Sequence, residues 1–108
     1  MLYVGDNGNP HHIVAFDVLD GRRLTRRRVL ARSTPEHPDG LKVDAGGRVY
    51  ASAAEGVRIF DASGDQLGTI VLPGAVNFTF GGLEGNVLFI TADDAICAAV
   101  LDTAGLPA

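Results

Sequence analysis

An all-β fold made of repeated antiparallel sheets is what this sequence predicts, on three observations. Apolar residues fill 46% of the 108 positions, yet 14 Gly and 5 Pro cut them into runs too short for long helices. Strand-like triplets recur, since Leu2-Tyr3-Val4, Val49-Tyr50-Ala51 and Leu88-Phe89-Ile90 each open an apolar run followed by a turn and a second apolar run. The repeat is about 40 to 50 residues long and carries strand signals without a 3.6-residue periodicity, which is the period of a four-stranded propeller blade rather than of a helical repeat.

The middle repeat predicts strands at 41–44, 48–52, 57–60 and 66–72. Asp44-Ala45-Gly46-Gly47, Ala54-Glu55-Gly56 and 61–65 separate them, each with the Gly or Asp that left-handed backbone angles favour. Ahead of it, strands at 2–5, 12–16 and 24–31 lack an inner partner. After it, strands at 77–80, 87–91 and 95–101 lack an outer one and run into a small, turn-like tail. The expected organisation is one partial β-propeller domain over 1–108, with an incomplete blade at 1–35, a complete blade at 36–74, an incomplete blade at 75–101 and a tail at 102–108. About two and a half four-stranded antiparallel blades cannot close a ring, because a closed propeller needs at least four.

The formal net charge of −4 repels phosphate backbones and anionic lipid surfaces, so neither nucleic acid nor membrane is an expected partner. No apolar run approaches the ~18 residues of a membrane helix, and residues 1–10 lack the basic and apolar regions of a signal peptide, which leaves the cytoplasm as the expected location. The six arginines from Arg22 to Arg32 read as the solvated outer edge of a blade, where charge discourages edge-to-edge pairing. Cys97, the single cysteine, sits among Ile96, Ala98, Ala99 and Val100 and reads as a small buried hydrophobe.

Four motifs stand in order: Leu2-Tyr3-Val4-Gly5-Asp6; His12-Ile13-Val14-Ala15-Phe16-Asp17-Val18; Pro38-Asp39-Gly40-Leu41-Lys42-Val43-Asp44; and Asn77-Phe78-Thr79-Phe80-Gly81-Gly82 with Leu88-Phe89-Ile90-Thr91-Ala92. Together they resemble the C-terminal part of the gluconolactonase, regucalcin (senescence marker protein) and luciferin-regenerating-enzyme family, over nearly the whole chain. The resemblance implies a six-bladed propeller with a divalent cation, calcium or zinc, in its central channel, hydrolysing sugar lactones or related esters. It further implies that this chain is about the last third of such a propeller, with a cut start and a natural end, since in the family a strand from the N-terminus completes the final blade.

Taken alone, Pro38-Asp39-Gly40 is the chemistry of a turn. With the surrounding matches, Asp39 is expected to be a metal ligand and the general base, because lactone hydrolysis asks for a Lewis acid on the carbonyl and a base beside the attacking water. Asn77 opens the inner strand of the next blade, where its amide serves either substrate or its own backbone. His37, two residues before Asp39, reads as a solvated loop histidine or as a group that orients substrate. His11 and His12, as neighbours on a strand, point to opposite faces and are not expected to share an ion. Asp6-Asn7-Gly8-Asn9 lacks the acidic spacing of a calcium loop and reads as a turn.

The family's other metal ligands lie in segments that this sequence does not contain, and one carboxylate does not hold calcium, which wants six to eight oxygens. The expected function is therefore that of a C-terminal fragment of a metal-dependent sugar-lactone hydrolase, inactive on its own, with a small-molecule lactone as substrate. The expected macromolecular partners are the missing blades or a second copy of the chain. The alternative is a non-catalytic propeller-type binding or scaffold module, since fold does not fix function.

Overall fold

Short apolar runs between Gly- and Asp-rich turns become ten strands in a computed structural model of the chain, which describes residues 1–6, 8, 11–32 and 39–106. These are β1 Leu2–Asp6, β2 His12–Leu19, β3 Arg23–Arg32, β4 Leu41–Val43, β5 Val49–Ala53, β6 Gly56–Phe60, β7 Gln66–Val71, β8 Asn77–Gly81, β9 Val87–Thr91 and β10 Ile96–Val100. Among the described residues there is no helix, and so none long and apolar enough to cross a membrane. The strands form three sheets, β1-β2-β3, β4-β5-β6-β7 and β8-β9-β10, in which each strand pairs antiparallel with its neighbour in sequence.

The strand positions follow the three sequence repeats, with one clear shift. β2 runs to Leu19 and β3 begins at Arg23, because Asp20 and Gly21 take successive φ angles of 53° and 64° and turn the chain tightly. The Arg22 N–H closes that turn on the Leu19 carbonyl at 2.9 Å. β3 is irregular at Arg26, with φ of 51° and a register shift opposite 15–17, so its free edge is twisted as well as charged.

β5 is buried at all five positions, which no strand at the surface of a two-layer protein achieves. Val49 and Ala51 face the first sheet and pack with Ile13, Ala31 and Phe60. On the opposite face Tyr50 packs with Val57, Ala75, Phe78, Leu88 and Ile90 toward the third sheet. The middle sheet is thus the filling between the other two, and alternation along β5 divides the core into two halves. β6 meets β7 closely at Gly56, whose φ is 147°, and a Cβ there would lie 1.9 Å from the Ile70 carbonyl oxygen.

Between β4 and β5 the chain buries a carboxylate. Asp44 is 0% exposed. Its Oδ1 accepts the backbone N–H groups of Gly46 at 2.9 Å and Arg48 at 3.0 Å, while Oδ2 accepts Arg48 Nη1 at 3.2 Å and the Tyr50 hydroxyl at 2.8 Å. Burial pushes this carboxyl up, but the hydrogen bonds from the Arg48 backbone, Tyr50, the Arg48 side chain and Gly46 together outweigh it and hold Asp44 below its ordinary value. The Tyr50 hydroxyl is pushed well above its ordinary range, by burial first and by donation to Asp44 second. The Tyr50 ring meets Phe80 edge-on at 5.3 Å, linking the middle and third sheets.

Residues 101–106 are a strap rather than a loose tail. Ala45 N–H donates to the Ala104 carbonyl at 2.7 Å, Gly105 N–H to the Gly85 carbonyl at 3.1 Å and Leu101 N–H to the Asn86 carbonyl at 2.8 Å. The backbone groups left over at two turns, one in each sheet, find their partners in this single segment.

Replacing Asp44 by Ala orphans four donors, and a loss of about 2 to 5 kcal/mol is expected in urea unfolding at pH 7. Because the folded pKa lies below the ordinary 3.8, the contribution is full above that value and is lost as pH falls through the folded one. The gap between wild type and Asp44→Ala should therefore narrow below about pH 4. A gap that is unchanged at pH 3 contradicts the assignment.

Candidate functional site

Asp39 sits where the chain enters β4, exposed, and the next residue is buried. Gly40 is gripped from β5: its N–H donates to Ser52 Oγ at 2.8 Å, and its carbonyl accepts the Ser52 N–H at 3.0 Å. On its other side Gly40 abuts the start of β8, where a Cβ would lie 2.9 Å from Asn77 Oδ1, 2.9 Å from Phe78 Cε1 and 3.0 Å from Asn77 Cα. Only a residue without a side chain lets the two sheets meet this closely, and the contact places Asp39 one residue away from Asn77.

Asp39 lines a cleft of about 340 Å³ together with Ser52, Gly74, Asp93, three alanines and Val76. Asn77 opens instead on an adjoining cavity of about 310 Å³ with Lys42, Thr79 and Thr91. The two residues are brought together through Gly40, but their side chains serve different hollows. Asn77 Oδ1 accepts the Phe78 N–H at 2.9 Å, and the Asn77 carbonyl accepts Thr91 Oγ1 at 3.1 Å, so the amide oxygen is committed to the strand start. A larger hollow, about 510 Å³, runs along Tyr3, Leu41, Val43 and Phe80 and has no carboxylate among its described lining residues.

His37 lies outside the described residues. His12 is partly buried with Nδ1 3.5 Å from Asp6 Oδ2, and Asp6 Oδ1 accepts the Gly8 N–H at 2.8 Å, which is turn geometry. Arg26 and Arg28 pair with Asp17 at 3.2 and 3.1 Å across β2 and β3. Cys97 is half-buried, because β10 is an edge strand with one neighbour.

Ser52 and Asp93 escaped the sequence reading. Ser52 is 2% exposed and is the one aliphatic hydroxyl in a strand whose other residues are Val, Tyr and Ala, and a buried hydroxyl must find a hydrogen-bond partner. That was a usable signal. Asp93 lies in the turn between β9 and β10 and carries no signal beyond turn chemistry.

An acid-bearing cleft at the shared margin of serial antiparallel sheets defines a sheet-repeat protein with its polar groups gathered where strands begin. The chain belongs to the SMP-30/Gluconolactonase/LRE-like family, whose sequence profile matches residues 1–94. It is 38% identical over 99 residues to Lactonohydrolase oryH of Aspergillus oryzae, covering 90% of this chain and 21% of that protein. It superimposes on a gluconolactonase from Xanthomonas campestris with a TM-score of 0.81 and 38% identity, covering 92% of this chain and 33% of that one. A luciferin-regenerating enzyme shares the fold at a TM-score of 0.75 and 19% identity, covering 96% of this chain and 42% of that one. The chain thus spans about a fifth to two fifths of the length of these relatives.

A divalent cation, which the resemblance implies, asks more donors than this chain's cleft offers. Among the described residues no three His, Cys, Asp or Glu side chains are grouped to hold a metal ion, and Asp39 and Asp93 are the carboxylates of the cleft. This donor set does not by itself fit a calcium ion and its six to eight oxygens.

Gly40→Ala should cost about 1 to 3 kcal/mol by overpacking and displace Asn77 and Phe78. Gly68→Ala, where a Cβ meets nothing within 4 Å, is the matched control and should change stability little. Equal effects of the two in thermal unfolding would show that the contact between Gly40 and β8 imposes no constraint.

Proposed function

We propose that Asp39 is the proton-accepting carboxylate of a gluconolactonase-type hydrolase acting on a sugar lactone. One observation carries the reading: in a chain of this family, Asp39 is exposed on a cleft while the residue after it is clamped between two sheets. Water adds to the lactone carbonyl, Asp39 takes its proton, the ring C–O bond breaks, and the departing oxygen is protonated to give the open hydroxy acid. Asn77 and His37 are proposed to contact the substrate, and a divalent cation, calcium or zinc, is proposed to count Asp39 among its ligands. No step here is routed through that cation, since the remaining donors lie outside this chain's cleft.

In the same reading the three sheets are blades of one partial propeller domain: an incomplete blade at 1–35, a complete one at 36–74, an incomplete one at 75–101 and the tail 102–108. What supports this is that each sheet holds its strands in sequence order and that this chain covers 21% and 33% of two relatives' lengths. The chain on its own is then a negligible catalyst, and its partners are the missing blades or a second copy. A cytoplasmic setting is part of the same proposal. The reading that competes, a non-catalytic binding or scaffold module, is favoured by the two-carboxylate cleft.

The test joins this chain behind the preceding blades of the Xanthomonas campestris gluconolactonase and measures sugar-lactone hydrolysis with calcium or zinc. The chimera should turn over, Asp39→Ala should lower kcat at least about 100-fold with the circular dichroism unchanged, and the 108-residue chain alone should show negligible turnover. Full activity in Asp39→Ala overturns the assignment.

A further inference from the structure

We infer that Ser52 is a positioning residue that sets the direction in which Asp39 leaves the sheet; this rests on the reading of Asp39 as the reacting carboxylate. β4 and β5 pair in the register Leu41↔Ala51, Lys42↔Tyr50 and Val43↔Val49, so Gly40 faces Ser52 one step beyond the last pair. In a regular antiparallel ladder two such residues exchange both backbone hydrogen bonds. Here one of them is regular, the Ser52 N–H to the Gly40 carbonyl at 3.0 Å. The reciprocal Gly40 N–H goes instead to the Ser52 hydroxyl at 2.8 Å.

That exchange of acceptor has a structural consequence. The Gly40 N–H belongs to the peptide group that joins Asp39 to Gly40, and the Gly40 carbonyl belongs to the next one. Ser52 therefore fixes two consecutive peptide planes, the first through its side chain, and with them the φ and ψ of Gly40 and the position of the Asp39 Cα from which the carboxylate projects. Asn77 and Phe78 close the other side of Gly40, so the peptide has no room to swing away. Ser52 itself is 2% exposed, and Gly40 is buried, so water is poorly placed to substitute for its hydroxyl. Alanine at 52 would leave the Gly40 N–H buried without an acceptor, whereas threonine keeps the oxygen.

Amide hydrogen exchange on the intact chain tests this without any substrate. In the unchanged protein the Gly40 amide should be protected to the level of the neighbouring β5 amides, and exchange at the rate of an open loop overturns the proposal. Ser52→Ala should speed exchange at Gly40 at least about tenfold while Tyr50 and Ile59 keep their protection, and Ser52→Thr should restore it. Unchanged protection at Gly40, or equal loosening of the whole sheet, also overturns it. In the chimera described above, Ser52→Ala should lower kcat at least about tenfold with KM little changed, again restored by threonine. Should Asp39→Ala retain turnover there, the reading of Asp39 fails while the exchange result still reports on what Ser52 holds.

Discussion

The buried carboxylate of Asp44 is the constraint on which the rest of the molecule depends. A charge removed from water at a turn must be met by donors on every side, and Asp44 is met by four, from Gly46, twice from Arg48 and from Tyr50. Those donors fix the path from β4 into β5, and with it the strand that fills the space between the outer sheets. Tyr50 carries the constraint across to Phe80 in the third sheet, and the strap at Ala104 and Gly105 ties the same turn to Gly85. One carboxylate therefore organises one end of the boundary between two sheets.

The opposite end of that boundary is where chemistry becomes available. β4 is only three residues long, held near one end by Asp44 and at the other by the bonds between Ser52 and Gly40. A short strand clamped at both ends is a stiff strut, and Asp39 projects from its tip. Stiffness matters because a general base contributes only when its oxygen is held within hydrogen-bond reach of the proton it takes. The stabilising centre and the candidate site thus lie on one strand and do not compete for the same residues.

Much of this was legible in the sequence, for reasons that differ from element to element. The strands were readable because Gly and Asp turns bracket each apolar run, and the strand expected at 48–52 was recognisable from its mostly small and apolar character, though it runs from Val49 to Ala53. The long hairpin of β2 and β3 was clipped at 17–19, because Asp17 interrupts the apolar run, although the turn is marked by Asp20-Gly21. Asp39 was found through its motif, but the clamp that holds it was not, since Ser52 lies 13 positions further along and becomes its neighbour only when β4 and β5 pair. The burial of Asp44 was likewise hidden, because Asp before Gly-Gly reads as an ordinary solvated turn and only Tyr50 and the strap turn it into a core group.

What the three sheets leave uncovered bears on all of it. β10 presents Ile96 at 78% and Val100 at 79% exposure, and among the described residues no strand pairs on its outer side. Each such residue forgoes a burial that yields roughly 25 cal/mol per Å² of apolar surface, and an unpaired edge offers a row of free donors and acceptors besides. Covering material from a second chain, or from the further blades proposed above, would remove that cost. Sedimentation of the isolated chain at tens of micromolar is the most direct measurement of whether these sheets are an open arc that needs such cover. The account predicts assemblies heavier than one chain, which dissolve when the preceding blades are supplied. A stable monomer that unfolds cooperatively and ignores added blades would contradict it.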